Sequence, residues 1–281
     1  MITTSSRPST AQVASHYDDL DPFYRKLWGE HVHHGLWERG DEDAERAVCA
    51  LVDRVAEVAR IAPGSDVCDV GCGYGATACR MTERYGARVV GLTISRAQAE
   101  YAQRAIQDPD APRILCRDWL DSGLPSESFD AVVAIESLEH MLDKPRFFAE
   151  ARRVLRPGGR LVVCSWLATE RPTPWQRREL LERICVEGRL AELPESDECS
   201  RWFHDGGFVD VTFEDLTAKV QRTWTLCAAR VARAVAFDRT ARSFLFRGSS
   251  EHRIFALTVL RILSAYRLGA MKYGLFDAIK P

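Results

Sequence analysis

Apolar residues along this chain recur with two periods, and the alternation of the periods predicts its architecture. In residues 44–59, Ala47, Val48, Leu51, Val52, Val55 and Val58 fall at helical spacing. The turn I-A-P-G-S (61–65) then delivers the chain into an apolar strand that ends in a glycine loop, V-C-D-V-G-C-G-Y-G-A-T (67–77). Beyond it the pattern predicts a helix over 77–85, a strand over 88–93, a helix over 95–107, and strands over 113–116 and 129–135. A helix over 145–155 ends at R-P-G-G, and 160–166 is a fifth apolar strand. Strands and helices alternating at this spacing predict a parallel sheet covered on both faces, with ligands at the carboxyl ends of the strands.

After Trp166 the regularity breaks. Residues 171–189 carry two prolines and then many charges, which predicts a loop followed by an amphipathic helix, read here as a lid. A helix over 195–205 is stopped by Gly206 and Gly207, and F-V-D-V-T-F-E (208–214) is a period-two strand. Two helical stretches, near 218–237 and 252–266, precede a short terminal strand over 275–279. Residues 1–16 hold no apolar run, which predicts a frayed tail and no secretory signal. The expected organisation is a disordered tail (1–16), a helical cap over the cofactor (17–60), a cofactor-binding core (61–168), and a remainder (169–281) whose lid helices and last strands complete the same domain. The expected fold class is α/β, Rossmann-like and doubly wound, with a mostly parallel sheet, an antiparallel C-terminal hairpin and a helical lid.

Composition narrows the partners. Thirty-eight basic against 40 acidic residues give a net charge of -2, which favours no nucleic acid and leaves a small-molecule acceptor as the expected partner. The nine cysteines form no C-x-x-C pair, and Cys68, Cys116 and Cys164 fall in predicted strands, a usage that suits a reducing, cytoplasmic setting. The apolar stretches 244–246 and 254–260 are cut by Arg247, Arg261 and Arg267, far short of a membrane span, so no stable membrane insertion is expected. A homodimer is left open.

The glycine loop carries the chemistry. Gly71, Gly73 and Gly75 let the backbone turn tightly and approach a ligand. A nicotinamide-binding turn places its third glycine one position later and ends its second strand in an acid; here that strand ends in Thr93. Instead, Asp69 stands two residues before the first glycine. A carboxylate there, beside a helix N-terminus, suits a ligand bearing both an ammonium and a carboxylate, as S-adenosylmethionine does.

With this loop, the strand end G-L-T-I-S, the R-D-W near 118 and L-R-P-G-G, the chain resembles the class I S-adenosylmethionine-dependent methyltransferases. W-G-E-H-V-H-H-G, E-S-L-E-H-M and Y-R-L-G-A-M-K-Y-G-L bring it closest to the tocopherol methyltransferase group and bacterial natural-product methyltransferases. The resemblance implies that Asp69, Gly71, Gly73 and Gly75 surround the methionine end of the cofactor, with Thr93 nearby. It assigns the ribose to Gln98, which as an S-x-x-Q partner of Ser95 also reads as half of a capping box. It assigns the adenine to Asp118 and Trp119, and folds the histidine segment with His33 over the cofactor, where Tyr17, Tyr24 and Trp37 help close it. Glu136 should face the methyl-donor side, and His140, taken as one helical turn further on, is the candidate base, or else a cofactor contact.

An acid that follows strand five in similar sugar O-methyltransferases is absent here, where C-S-W-L-A supplies Ser165 and Trp166. Trp166, Trp175 and Phe203, with Tyr24 and Trp37, therefore suggest an aromatic-lined pocket for a hydroxylated aromatic, polycyclic or prenylated acceptor. The cluster Glu30, His31, His33, His34 lacks metal-ligand spacing, and no metal is expected. The expected function is methylation of a carbon, oxygen or nitrogen atom by in-line transfer in secondary metabolism. The competing readings are a silent cofactor-binding partner, a sugar O-methyltransferase and a nicotinamide oxidoreductase.

Overall fold

The computed structural model describes all residues except 5–6, 28, 107–109 and 238–249. In chain order the N-terminal part consists of β1 (Ile2–Thr3), α1 (Thr10–Leu27) and α2 (Ala44–Val58). The core follows as β2 (Asp66–Val70), α3 (Ala76–Tyr85), β3 (Arg88–Thr93), α4 (Arg96–Ala105), β4 (Arg113–Cys116), β5 (Phe129–Ile135), α5 (Lys144–Val154) and β6 (Leu155–Ala168). A π-helical turn, Gln176–Leu181, runs into α6 (Glu182–Glu187), followed by β7 (Glu192–Leu193), α7 (Ser196–Asp205), β8 (Val209–Asp215), α8 (Thr217–Val220) and α9 (Arg222–Phe237). The last elements are α10 (Ser250–Arg267) and β9 (Met271–Ile279).

Among the described residues one sheet has seven strands, in the order β4-β3-β2-β5-β6-β9-β8. The five strands from β4 to β6 pair in parallel, while β9 runs antiparallel to both β6 and β8. This is the expected doubly wound sheet with a C-terminal antiparallel hairpin. Alternate residues of the central strands feed opposite cores, as the strand period requires. Val67, Ala131, Val133 and Val162 join an apolar cluster with α2, α3, α9 and α10. Cys68, Val132, Ala134 and Val163 join another, under α5 and α7. The chain leaves β2 toward β3 on one side and returns to β5 on the other, so the carboxyl ends of β2 and β5 form a topological switch point, where a crevice opens.

Three expectations change. The segment expected as a frayed tail is ordered at both ends that are described: Ile2, 1% exposed, pairs with Leu193, and α1 starts at Thr10. Its partner strand lies some 190 residues away, so no local pattern reveals the pairing. The terminal strand is longer than 275–279, because Met271 to Gly274 pair with Ala168 to Ser165 of β6. Leu155, expected to end a helix, instead opens β6 opposite Phe129. The apolar stretch 244–246 and the expected helix end at 107 lie outside the described residues.

Candidate active site

Asp69, the penultimate residue of β2, lines the crevice, and only 2% of it is exposed. Its Oδ2 is buried with no hydrogen-bond partner, and burial pushes the carboxyl up to about 7. The loop that follows leaves room beside it. Gly71 and Gly73 have φ of +79° and +55°. A Cβ on Gly71 would lie 2.4 Å from the Ser137 Cβ, whereas one on Gly73 would meet nothing within 4 Å. Gly71 is thus required by the protein's own packing, and the space at Gly73 is left open. Gly75, expected at the ligand, does not line the crevice; it precedes α3 at φ +83° and packs against Ile106 and Ile114.

The rest of this first cavity comes from strand ends and from α1. Thr93 donates to Gln98 Oε1 at 2.8 Å, while Ser95 Oγ accepts from Gln98 N at 3.1 Å, so half of the expected capping box forms. Asp118 accepts from Leu120 N and starts a short 3-10 turn, and Trp119 is buried with its Nε1 donating to Phe147 O. All four expected residues line the cavity: Thr93, Gln98, Asp118 and Trp119. Val13 and Tyr17 of α1 cover it. Asp18, which the sequence reading missed, fastens this helix by accepting from Ser95 Oγ and Ala97 N.

A second cavity, of about 290 Å³, adjoins the first, and Tyr17, Val32, His33, Glu136 and His140 line both. Leu20, Tyr24, Trp166, Ile184, Leu190 and Trp224 give it an apolar, aromatic wall, and His16, Glu136, Glu139, Glu187 and Arg189 are among its polar members. Trp166 and Tyr24 are where they were expected. Three other candidates are not. Trp175 is 53% exposed at the surface, Phe203 is buried in the core between α7 and the sheet, stacked on Phe276, and Trp37 is tied to Glu42 O away from both cavities. Helical periodicity marks a residue as apolar-facing but does not say which apolar face, and it places no loop residue.

Glu136 and His140 do not share a helical turn. Glu136 sits at φ +53° just past β5, and the 3-10 turn Leu138–His140 follows. The Glu136 carboxylate accepts from His34 N (2.7 Å), His34 Nδ1 (2.9 Å), Trp166 Nε1 (2.7 Å) and Tyr273 OH (2.8 Å). Burial works to raise its pKa, but the His34 ring, with His33 and the His34 backbone N–H, outweighs it and keeps the acid below the usual carboxylate range. Trp224 Nε1 in turn donates to His34 Nε2 at 2.6 Å, which assigns the ring proton to Nδ1. Glu136 is therefore a buried anion that fixes the aromatic wall, and the expected placement of Glu136 and His140 one helical turn apart is corrected. The roles of His34, Tyr273 and Trp224 in this network escaped the sequence reading because their partners come from distant segments.

His140 Nδ1 lies 3.0 Å from the carbonyl oxygen of Arg189, which can only accept, so Nδ1 carries the proton and Nε2 accepts from Tyr17 OH at 2.8 Å. Burial lowers its pKa to about 4. His33 is likewise buried; its Nδ1 donates to His34 O at 2.7 Å, and its Nε2 lies 3.1 Å from His31 Nδ1. Burial lowers His31 to about 3. The adjacent histidines thus bond to one another and to backbone, and among the described residues no group of three or more His, Cys, Asp or Glu could hold a metal ion. Among the same residues no helix is long and apolar enough to cross a membrane.

Chemically, the first cavity offers an unpaired buried carboxylate oxygen and a glycine loop with open space, the features an ammonium-bearing cofactor needs. The mycolic acid cyclopropane synthetase family matches residues 4–237. The 27-O-demethylrifamycin SV methyltransferase of Amycolatopsis mediterranei (strain S699) is 32% identical over 229 residues, covering 80% of this chain and 84% of the relative. The chloroplastic tocopherol O-methyltransferase of Arabidopsis thaliana is 26% identical over 308 residues, covering 99% and 84%. The structure of mycolic acid cyclopropane synthase CmaA1 complexed with SAH and CTAB superposes with a TM-score of 0.85 at 24% identity, covering 98% of this chain and 99% of that one. A match over most of the length, together with this fold, places the chain in the mycolic acid cyclopropane synthetase family as an S-adenosylmethionine-dependent methyltransferase.

Proposed function

We propose that this enzyme methylates a hydroxyl oxygen of an apolar, ring-containing or prenylated acceptor of natural-product metabolism. The observation that carries the reading is the pair of adjoining cavities, one presenting Asp69 with its unpaired oxygen and the other walled by Trp166, Trp224 and aliphatic side chains. The relatives named above act on acceptors named as rifamycin- and tocopherol-type compounds, which supports the class.

In this reading S-adenosylmethionine supplies, when bound, an electrophilic methyl group on a sulfonium sulfur. Asp69 and the backbone at Gly71 and Gly73 would hold its methionine end, Thr93 and Gln98 its ribose side, and Asp118 with Trp119 its adenine. Tyr17 and His33, between the two cavities, exclude water from the line along which the methyl moves. The Glu136 network holds Trp166 and His34 still, so the acceptor is positioned by a rigid aromatic wall. Since in-line displacement needs alignment above all, rigidity there contributes directly to rate.

The test is mass spectrometry of organism extract incubated with the protein and methyl-labelled cofactor. A labelled methyl ether on an apolar hydroxylated compound is expected. Label on nitrogen, on carbon or on a free sugar would replace this acceptor assignment, and no labelled product with any extract would refute the reading.

A further inference from the structure

One side of the second cavity is formed by α6, the turn after it and α10, and none of their residues lines the first cavity. Ile184, Leu190, Val259 and Ile262 make this side largely apolar. Glu187 stands among them as the last residue of α6, its side chain 13% exposed. Arg261 Nη1 of α10 donates to both of its carboxylate oxygens, and that side chain is 18% exposed. Thr258 Oγ1 lies 2.7 Å from Glu187 Oε2 and 2.8 Å from Ile254 O. Thr258 and Arg261 are three residues apart on α10, so a single face of that helix brings both to the acid.

Fold stability gives little reason for this placement. Taking the two charges of an ion pair out of water costs about as much as their attraction returns. A helix C-terminus is the negative end of the backbone dipole, so an acid there also opposes α6. Nor is the carboxylate filled. It offers about four acceptor positions, and its donors among the described residues are Arg261 Nη1 and the Thr258 hydroxyl. The single Thr258 proton has two acceptors in reach, Glu187 Oε2 and Ile254 O, and satisfies one at a time. We infer that this corner binds a second hydroxyl of the acceptor, donated to the Glu187 carboxylate, while the hydroxyl to be methylated sits at the seam with the first cavity. The inference rests on the function proposed above and adds that the acceptor carries a hydroxyl at each end of the apolar part held by the second cavity.

Glu187 is in this way a specificity-determining residue. A hydroxyl placed against it makes a charge-assisted hydrogen bond. A plain hydrocarbon tail in the same corner covers the carboxylate without offering it a donor, and desolvating an unfilled charged acceptor is costly. A site built to hydrogen-bond a substrate hydroxyl rejects the analogue that lacks it far more strongly than an apolar pocket rejects a missing methylene. The surrounding apolar residues bind the body of the acceptor without choosing among such compounds, so the choice falls to the Glu187 corner.

The test is calorimetry on the full-length protein saturated with S-adenosylhomocysteine, titrated with α,ω-alkanediols from hexanediol to dodecanediol and with the 1-alkanol of each length. At the chain length that spans the cavity, the diol should bind roughly tenfold or more tightly than its alkanol. E187Q should lose most of that advantage and keep its affinity for the alkanols and for S-adenosylhomocysteine. Should E187Q not fold, E187M/R261M decides: it removes both charges together, leaves neither unpaired, and should abolish the advantage. Equal affinities at every length, no binding by any diol, or an advantage that survives in E187M/R261M overturns the inference. The labelled-extract experiment keeps the two readings apart. A methyl ether formed on an apolar compound with a single hydroxyl leaves the function standing and overturns the second recognition point. No labelled product refutes the function, and the diol series still decides whether this corner binds a hydroxyl.

Discussion

Asp69 shows how one side chain couples stability to ligand binding. Unfolded, it ionises as an ordinary carboxyl; folded, it holds its proton up to about pH 7, so its burial costs the cofactor-free protein stability progressively as pH rises from about 4 to 7. A ligand ammonium needs the carboxylate, so below pH 7 binding must expel that proton. Two histidines on this wall, His31 and His140, stay neutral over that range, since burial lowers them to about 3 and about 4. Calorimetry with S-adenosylhomocysteine should therefore show affinity falling about tenfold for each pH unit below 7, with proton release. D69N should weaken binding by about 1.5–3 kcal/mol at pH 8, remove the pH dependence, and raise the melting temperature of the cofactor-free protein. A D69N protein that binds as tightly as wild type would refute the role. Asp69 was legible in the sequence from its place before a glycine turn; its orphaned oxygen was not, because solvation is set by segments folded over it from elsewhere.

Among the elements, the β2–α3 loop separates two demands that look alike in sequence. Gly71 and Gly73 both have positive φ, which costs an alanine roughly 1–3 kcal/mol. Only Gly71 also has a side chain, Ser137, in the way of a Cβ. G71A should accordingly lower the melting temperature strongly, whereas G73A should lower it modestly yet weaken S-adenosylhomocysteine binding; equal melting temperatures for the two variants would contradict this. The third glycine, Gly75, was read as a ligand contact from spacing alone, but its neighbours Ile106 and Ile114 come from the residue after α4 and from β4. Helices and strands of the core were legible because their periods are local properties of the chain. Strand β1 and the first half of β9 were not, since their stability comes from partners distant in sequence, Leu193 and β6.

At the scale of the whole molecule, the second cavity is built by α1, α6, α9, α10 and the ends of β5 and β6, segments that lie up to about 240 residues apart in the chain. That assembly decides which aromatic residues line it, and in the proposed function these are the ones that position the acceptor. W166F should slow turnover and raise KM for the acceptor, because it removes both the indole wall and the Nε1 bond to Glu136. W175A, at a site 53% exposed, should change neither acceptor kinetics nor cofactor affinity, and a matching loss in the two variants would show that the cavity is assigned wrongly. The sequence by itself determined the α/β winding, the strand that carries Asp69 near its end and the glycine loop, because apolar periodicity and glycine spacing are written in consecutive residues. Only the tertiary structure decided that Glu136 is a buried anion, that His140 is capped by Tyr17, that Glu187 meets Thr258 and Arg261 and that Phe203 belongs to the core. Each of these depends on which donors burial brings within hydrogen-bond reach, and a linear order of residues does not encode that.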